Sequence, residues 1–277
     1  MKTRPFRQID VFSAEAYRGN PLAVVLDGEG LSDAQMQGFA HWTNLSETTF
    51  VLPPTDLGAD YRVRIFTPGG ELPFAGHPTL GTCHAWLAAG GAAQGEAVVQ
   101  QCAVGLVRIR RDGERLAFEA PPLRRTAPDP ALLASVLAAL GADPARVGGS
   151  AWLDNGPQWF SLLFDSAASV LALAPDHVAL QALPKVGVIG AHAAGGECAF
   201  EVRAFAASVG VAEDPVTGSL NASLAQWLIA DGVAPAHYVA AQGSCLGRAG
   251  RVHIEQRDGR VWVGGASTIC IEGDVRL

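Results

Sequence analysis

Apolar and polar residues alternate over short runs through most of this chain of 277 residues, and Gly, Pro or Asp-Gly pairs separate the runs. Residues 106–110, Leu-Val-Arg-Ile-Arg, are representative. A period of two fits a half-buried strand. Runs of this kind predict strands over 22–26, 48–52, 61–66, 98–102, 106–110 and 116–118. Beyond the midpoint they predict strands over 159–164, 185–189, 199–205, 237–241, 251–255, 260–263 and 269–275. Helical spacing is rarer. Ser32 caps a helix through Trp42, with Gln35 at the capping-box position and Met36, Phe39 and Ala40 on one face. Further helices are predicted over 130–140 and 175–183. Two others differ in kind, because residues 78–89 and 215–230 hold no Lys, Arg, Asp or Glu. A helix without a charged face is a buried helix, and neither is long enough to cross a bilayer.

Those two uncharged helices open on related segments. His77-Pro78-Thr79-Leu80-Gly81-Thr82 and Asp214-Pro215-Val216-Thr217-Gly218-Ser219 lie 137 residues apart, nearly half the chain. In this register each copy reads as a polar N-cap, a proline at the first helical position and an uncharged helix. Other Asp-Pro pairs occur at Asp129-Pro130 and Asp143-Pro144, so the Gly-[Ser/Thr] that follows is what sets the two copies apart. Arg64-Ile65-Phe66 and Arg203-Ala204-Phe205 repeat upstream, as do Asn20-Pro21 and Gly156-Pro157. Three landmarks at nearly one period read as an internal duplication. The expected architecture is α+β: two pseudo-symmetric halves, each a barrel-like sheet wrapped around one buried helix. The Pro-rich stretch 120–128 is the natural link. The halves are expected at 1–120, completed by 265–277, and at 121–264. Such halves would bring two helix N-termini to one cleft.

Composition narrows the function classes. Hydrophobic residues make up 49% and charged residues 17%, which fits a compact globular protein and argues against disorder. A net charge of −7 disfavours nucleic acid or anionic membranes as partners. The start of the chain has no signal-peptide core and no transmembrane run is present, so a cytoplasmic location is expected. Five scattered cysteines without Cys-x-x-Cys give neither a disulfide framework nor a zinc site. His77 and His84 are about 10 Å apart along a helix, too far to share one ion. No Walker loop or Gly-x-Gly-x-x-Gly is found, so no metal and no cofactor is expected.

Specific segments then carry a resemblance. Ile9-Asp10-Val11-Phe12, Gly19-Asn20-Pro21-Leu22-Ala23-Val24, Asn44-Leu45-Ser46-Glu47-Thr48-Thr49-Phe50-Val51, Phe66-Thr67-Pro68 with 71–81, and Glu213-Asp214-Pro215-Val216-Thr217-Gly218-Ser219 resemble the signature segments of the phenazine-biosynthesis PhzF-like family. The resemblance spans nearly the whole chain. It implies the diaminopimelate epimerase-like fold, in agreement with the duplication, and a homodimer. It also implies a cofactor-independent isomerase acting on a small carboxylate, with trans-2,3-dihydro-3-hydroxyanthranilate as the best-known family substrate.

On its own Glu47 reads as a solvated carboxylate at a strand entrance; the resemblance makes it the catalytic acid/base. A carboxylate in a closed apolar cleft has its pKa raised toward neutrality, as proton shuttling near pH 7 requires. His77 and Asp214, read as N-caps, correspond through the resemblance to residues that orient substrate and assist the glutamate. In thiol-dependent epimerases of this fold the equivalent positions hold two cysteines, so racemisation by two thiols is disfavoured here. Cys83 lies too deep in its helix to replace them. Gly76, Gly81 and Thr82 in the first copy, and Gly218 and Ser219 in the second, are expected to offer backbone N–H groups and a helix dipole to a carboxylate. Asn20 joins them as a turn residue beside the site. Two rival readings are a racemase or epimerase without catalytic thiols and a non-catalytic small-molecule binder.

Overall fold

A computed structural model describes residues 1–277 as two compact units, residues 1–119 with 264–277, and residues 120–263. In the first unit Thr3–Val11 lies between Asn20–Val25 and Ser267–Arg276, antiparallel to both. Asn20–Val25 runs parallel to Glu47–Leu52, across a connection that contains the helix Asp33–Thr43. Glu47–Leu52 is antiparallel to Tyr61–Thr67. Tyr61–Thr67 in turn runs parallel to Val98–Cys102, and the helix Gly76–Ala88 makes that crossover. Antiparallel hairpins through Gly105–Asp112 and Arg115–Glu119 finish the sheet.

The alternating pattern explains what each face covers. Ile9, Val11 and Leu22 press against Gly81 of the helix Gly76–Ala88, where an added Cβ would lie 2.6 Å from Leu22 Cδ2 and 2.7 Å from Val11 Cγ2. Only glycine lets helix and sheet meet this closely. Every residue from Gly76 to Cys83 is buried. On the other face Val25, Phe50 and Phe66 form a second core with Met36, Phe39 and Ala40 of the helix Asp33–Thr43. That helix has its capping box at Ser32 and Gln35, as its sequence predicts.

The second unit repeats this plan strand for strand. Val147–Asp154 and Gln158–Phe164 form the opening antiparallel pair, and Gln158–Phe164 runs parallel to Val186–Ala191. Val186–Ala191 is antiparallel to Phe200–Ala206, which runs parallel to His237–Gln242 across the helix Gly218–Ala230. The outer core joins Val136 and Leu140 to Phe160, Leu162, Val188 and Phe205. The helix Pro130–Leu140 has the bounds its sequence predicts, whereas the one expected over 175–183 is a single turn, His177–Leu180. No helix is long and apolar enough to cross a membrane.

The duplication stands, but its register changes. The buried helices start at Gly76 and Gly218, with Ala75 and Thr217 as N-caps that make no side-chain cap. His77 and Asp214 are therefore not N-caps, and Pro78 and Pro215 do not occupy the first helical position. His77 is the second residue of its helix. Asp214 closes the strand Val211–Asp214 before the other helix begins. Hydrogen bonds carry the corrected register. Thr79 Oγ1 donates to Ala75 O as Asn221 Nδ2 does to Thr217 O. Gln100 bonds Thr79 as Gln242 bonds Asn221. Ser219, not Asp214, is thus the counterpart of His77.

Candidate active site

Asp10 prepares the first unit's site. Its buried carboxylate accepts from the backbone N–H groups of Arg18 and Gly19, both at 2.7 Å. This fixes the turn that delivers Asn20 to the start of its strand. A Cβ on Gly19 would lie 2.2 Å from Val11 O, so the turn accepts only glycine. Period-two alternation then puts Asn20 on the same face as Leu22, toward the buried helix.

Glu47 is placed in a similar way. The helix Asp33–Thr43 ends at Asn44, which is left-handed (φ 54°, ψ 30°), and its N–H donates to Ala40 O. The chain turns there, and Glu47 opens its strand opposite Leu22. Two residues on, Thr49 accepts a hydrogen bond of 2.8 Å from Thr82 on the buried helix. Glu47 shares that face, and its Oε2 lies 3.3 Å from His77 Nε2. This separation is within ion-pair reach but is not aligned as a hydrogen bond. Asn20 Nδ2 is 3.4 Å from the other ring nitrogen, Nδ1, and Ser46 Oγ donates to Asn20 Oδ1 at 3.3 Å.

Electrostatics separates the members of this group. Burial pushes the His77 imidazole down to about 3, so the ring is neutral at pH 7. The Glu47 side chain keeps 15% of its surface exposed, against 5% for His77. Glu47 is the member of the pair that a small molecule can reach. Burial also drives the Cys83 thiol up to about 12, which makes it a core residue rather than a nucleophile.

The first unit thus gathers Asn20, Glu47 and His77, with Gly76 opening the helix beside them. Gly81 and Thr82 face the sheet instead, and packing and the bond to Thr49 account for both. In the second unit Asp214 accepts a 2.5 Å hydrogen bond from Thr217 Oγ1, next to Gly218 at the helix start. Ser219 Oγ accepts from Trp159 Nε1 at 3.2 Å, and its carbonyl from Asn155 Nδ2 at 3.0 Å.

Sequence reasoning missed Ser46, Asn155 and Trp159. Asn155 was within reach of it. Aligning Asn20 with Asn155, rather than Pro21 with Pro157, pairs two asparagines that each bond the second residue of a buried helix.

Residues 9–273 match the family model described as phenazine biosynthesis-like protein. The trans-2,3-dihydro-3-hydroxyanthranilate isomerase of Pseudomonas aeruginosa is 39% identical over 220 residues, covering 78% of this chain and 77% of that protein. Antisense-enhancing sequence 1 of Schizosaccharomyces pombe is 37% identical over 292 residues, covering 99% of both. A crystal structure of a phenazine biosynthesis PhzF-family protein from Enterococcus faecalis superimposes with a TM-score of 0.82, at 26% identity and full coverage of both chains. The α+β, diaminopimelate epimerase-like fold is shared with such structures.

Proposed function

Because the chain belongs to the phenazine biosynthesis-like family and is an isomerase, we propose that Glu47 carries the proton in a cofactor-independent isomerisation. The substrate is a small carboxylic acid related to trans-2,3-dihydro-3-hydroxyanthranilate, the compound for which the P. aeruginosa relative is named. One observation carries the reading: the partly exposed Glu47 carboxylate meets a buried, uncharged His77. A carboxylate beside a neutral imidazole can take a proton from one carbon and return it to another. An imidazolium in that position would oppose proton uptake.

Each unit by itself offers backbone N–H groups to a carboxylate at the start of its buried helix, at Gly76 in the first and at Gly218 and Ser219 in the second. Asp214 orients the substrate. The enzyme works in the cytoplasm as a homodimer.

Glu47→Gln tests the assignment, because it keeps the shape and removes the proton carrier. Turnover of trans-2,3-dihydro-3-hydroxyanthranilate, and solvent deuterium incorporation into it, should fall by about 10⁴-fold. Binding followed by thermal shift should persist. A variant within about tenfold of the parent, ~1.4 kcal/mol in barrier, removes Glu47 as the catalyst.

A further inference from the structure

The neutral imidazole of His77 has one proton to place on two nitrogens, and each nitrogen faces a different partner. Nε2 faces the Glu47 carboxylate at 3.3 Å and Nδ1 faces the Asn20 amide at 3.4 Å. An ionised carboxylate only accepts, while an amide can accept through Oδ1 or donate through Nδ2. The orientation of Asn20 and the tautomer are therefore tied: only with Nδ2 toward the ring is the proton left on Nε2, facing Glu47. Ser46 supports the orientation seen here: its hydroxyl donates to Oδ1 at 3.3 Å, and Nδ2 lies toward the ring. Nδ1 must then accept, and the proton lies on Nε2. Asn20 cannot swing away, since it is fully buried and its turn is fixed by the Asp10 carboxylate.

We propose that Asn20, aimed by Ser46, is a positioning residue that holds His77 as its Nε2–H tautomer, so that an uncharged donor faces Glu47. The proposal rests on Glu47 being the proton carrier. With the amide reversed, Nδ1–H would donate to Oδ1, and the Nε2 lone pair would oppose the carboxylate. The second unit is the internal control. Its equivalent Asn155 donates to the carbonyl of Ser219, where no imidazole is present and no tautomer is chosen. The same turn holds a backbone in one unit and sets a proton in the other.

Two-bond nitrogen–proton correlation spectra of the histidine-labelled protein at pH 7 test this without any substrate. His77 is assigned from the signals lost in His77→Gln. The expected pattern is a protonated Nε2 and a bare Nδ1; an Nδ1–H ring or an imidazolium overturns the proposal. In Asn20→Ala the Nδ1–H form should appear, and kcat on trans-2,3-dihydro-3-hydroxyanthranilate should drop about 10- to 100-fold with KM nearly constant. Retention of the single Nε2–H form in Asn20→Ala, with parental kcat, also overturns it. Should circular dichroism show Asn20→Ala unfolded, Ser46→Ala replaces it, and an unchanged tautomer there counts against the proposal. A Glu47→Gln variant that keeps turnover sinks the proposed function while leaving the tautomer assignment intact.

Discussion

His77 ties the site to stability through its proton. Its folded value, about 3, lies below the ordinary value near 6.5. Between those values the unfolded chain binds a proton that the folded chain refuses. The contribution of this group is therefore complete above about pH 6.5 and is lost progressively as pH falls toward 3. Integrated over that window, the loss is on the order of 4 to 5 kcal/mol. His77→Gln removes the titration, so its stability should decline less steeply, by about 1.4 kcal/mol per pH unit between pH 6 and 4. Urea unfolding of both proteins across that range measures the difference, and parallel curves would mean that the ring is not held neutral. Little of this was legible beforehand. The resemblance picked out His77 as a residue, but its neutrality comes from burial by the sheet, which depends on Leu22, Thr49 and the other residues packed on the helix from distant strands.

At the level of elements, the repeated Arg-x-Phe strands carry a matched pair of contacts. Arg64 forks onto Glu71 at 2.7 and 2.6 Å and lies over Phe66, while Arg203 forks onto Glu213 at 2.9 Å twice and lies over Phe205. Burial separates the two forks. The Arg203 and Glu213 side chains are each 5% exposed, against 21% and 39% for Arg64 and Glu71. Arg203 also donates to Val170 O and Leu173 O. Arg203→Ala strands a buried carboxylate and two carbonyls and should cost about 3–5 kcal/mol, whereas Arg64→Ala should cost no more than ~1 kcal/mol. Denaturant midpoints of the two variants check this; equal losses would mean that burial does not distinguish the forks. The strands and both triplets were readable from alternation and spacing. The helix starts were not, because Ala75 and Thr217 make no side-chain cap and the proline signals pulled the register onto His77 and Asp214. Three extra residues after Phe205, which form a 3-10 turn at Ala207–Val209, shift the second helix relative to its strand. A fixed period cannot follow such an insertion.

Across the whole molecule, two units share one plan, yet only one is continuous in sequence. The first unit pairs Thr3–Val11 with Ser267–Arg276 from end to end, and Lys2 and Leu277 exchange backbone hydrogen bonds. During synthesis, the opening strand leaves the ribosome with one flank unpaired and waits until residue 276 has been made. The second unit, residues 120–263, lies wholly within the loop that this pairing closes and can fold before it closes. Contacts of such separation delay folding far more than they weaken the folded state. In pulsed hydrogen exchange during refolding, amides of residues 3–11 and 267–276 should gain protection together, and after those of the strands Phe200–Ala206 and His237–Gln242. Earlier protection of residues 3–11 would show that the strand holds its place without its partner. Until that partner arrives, the edge that Ile9 and Val11 share with the nascent sheet is open to any other strand nearby. Throughout the interval between making residue 11 and pairing it with residue 267, that edge is open to strands of the protein's own copies.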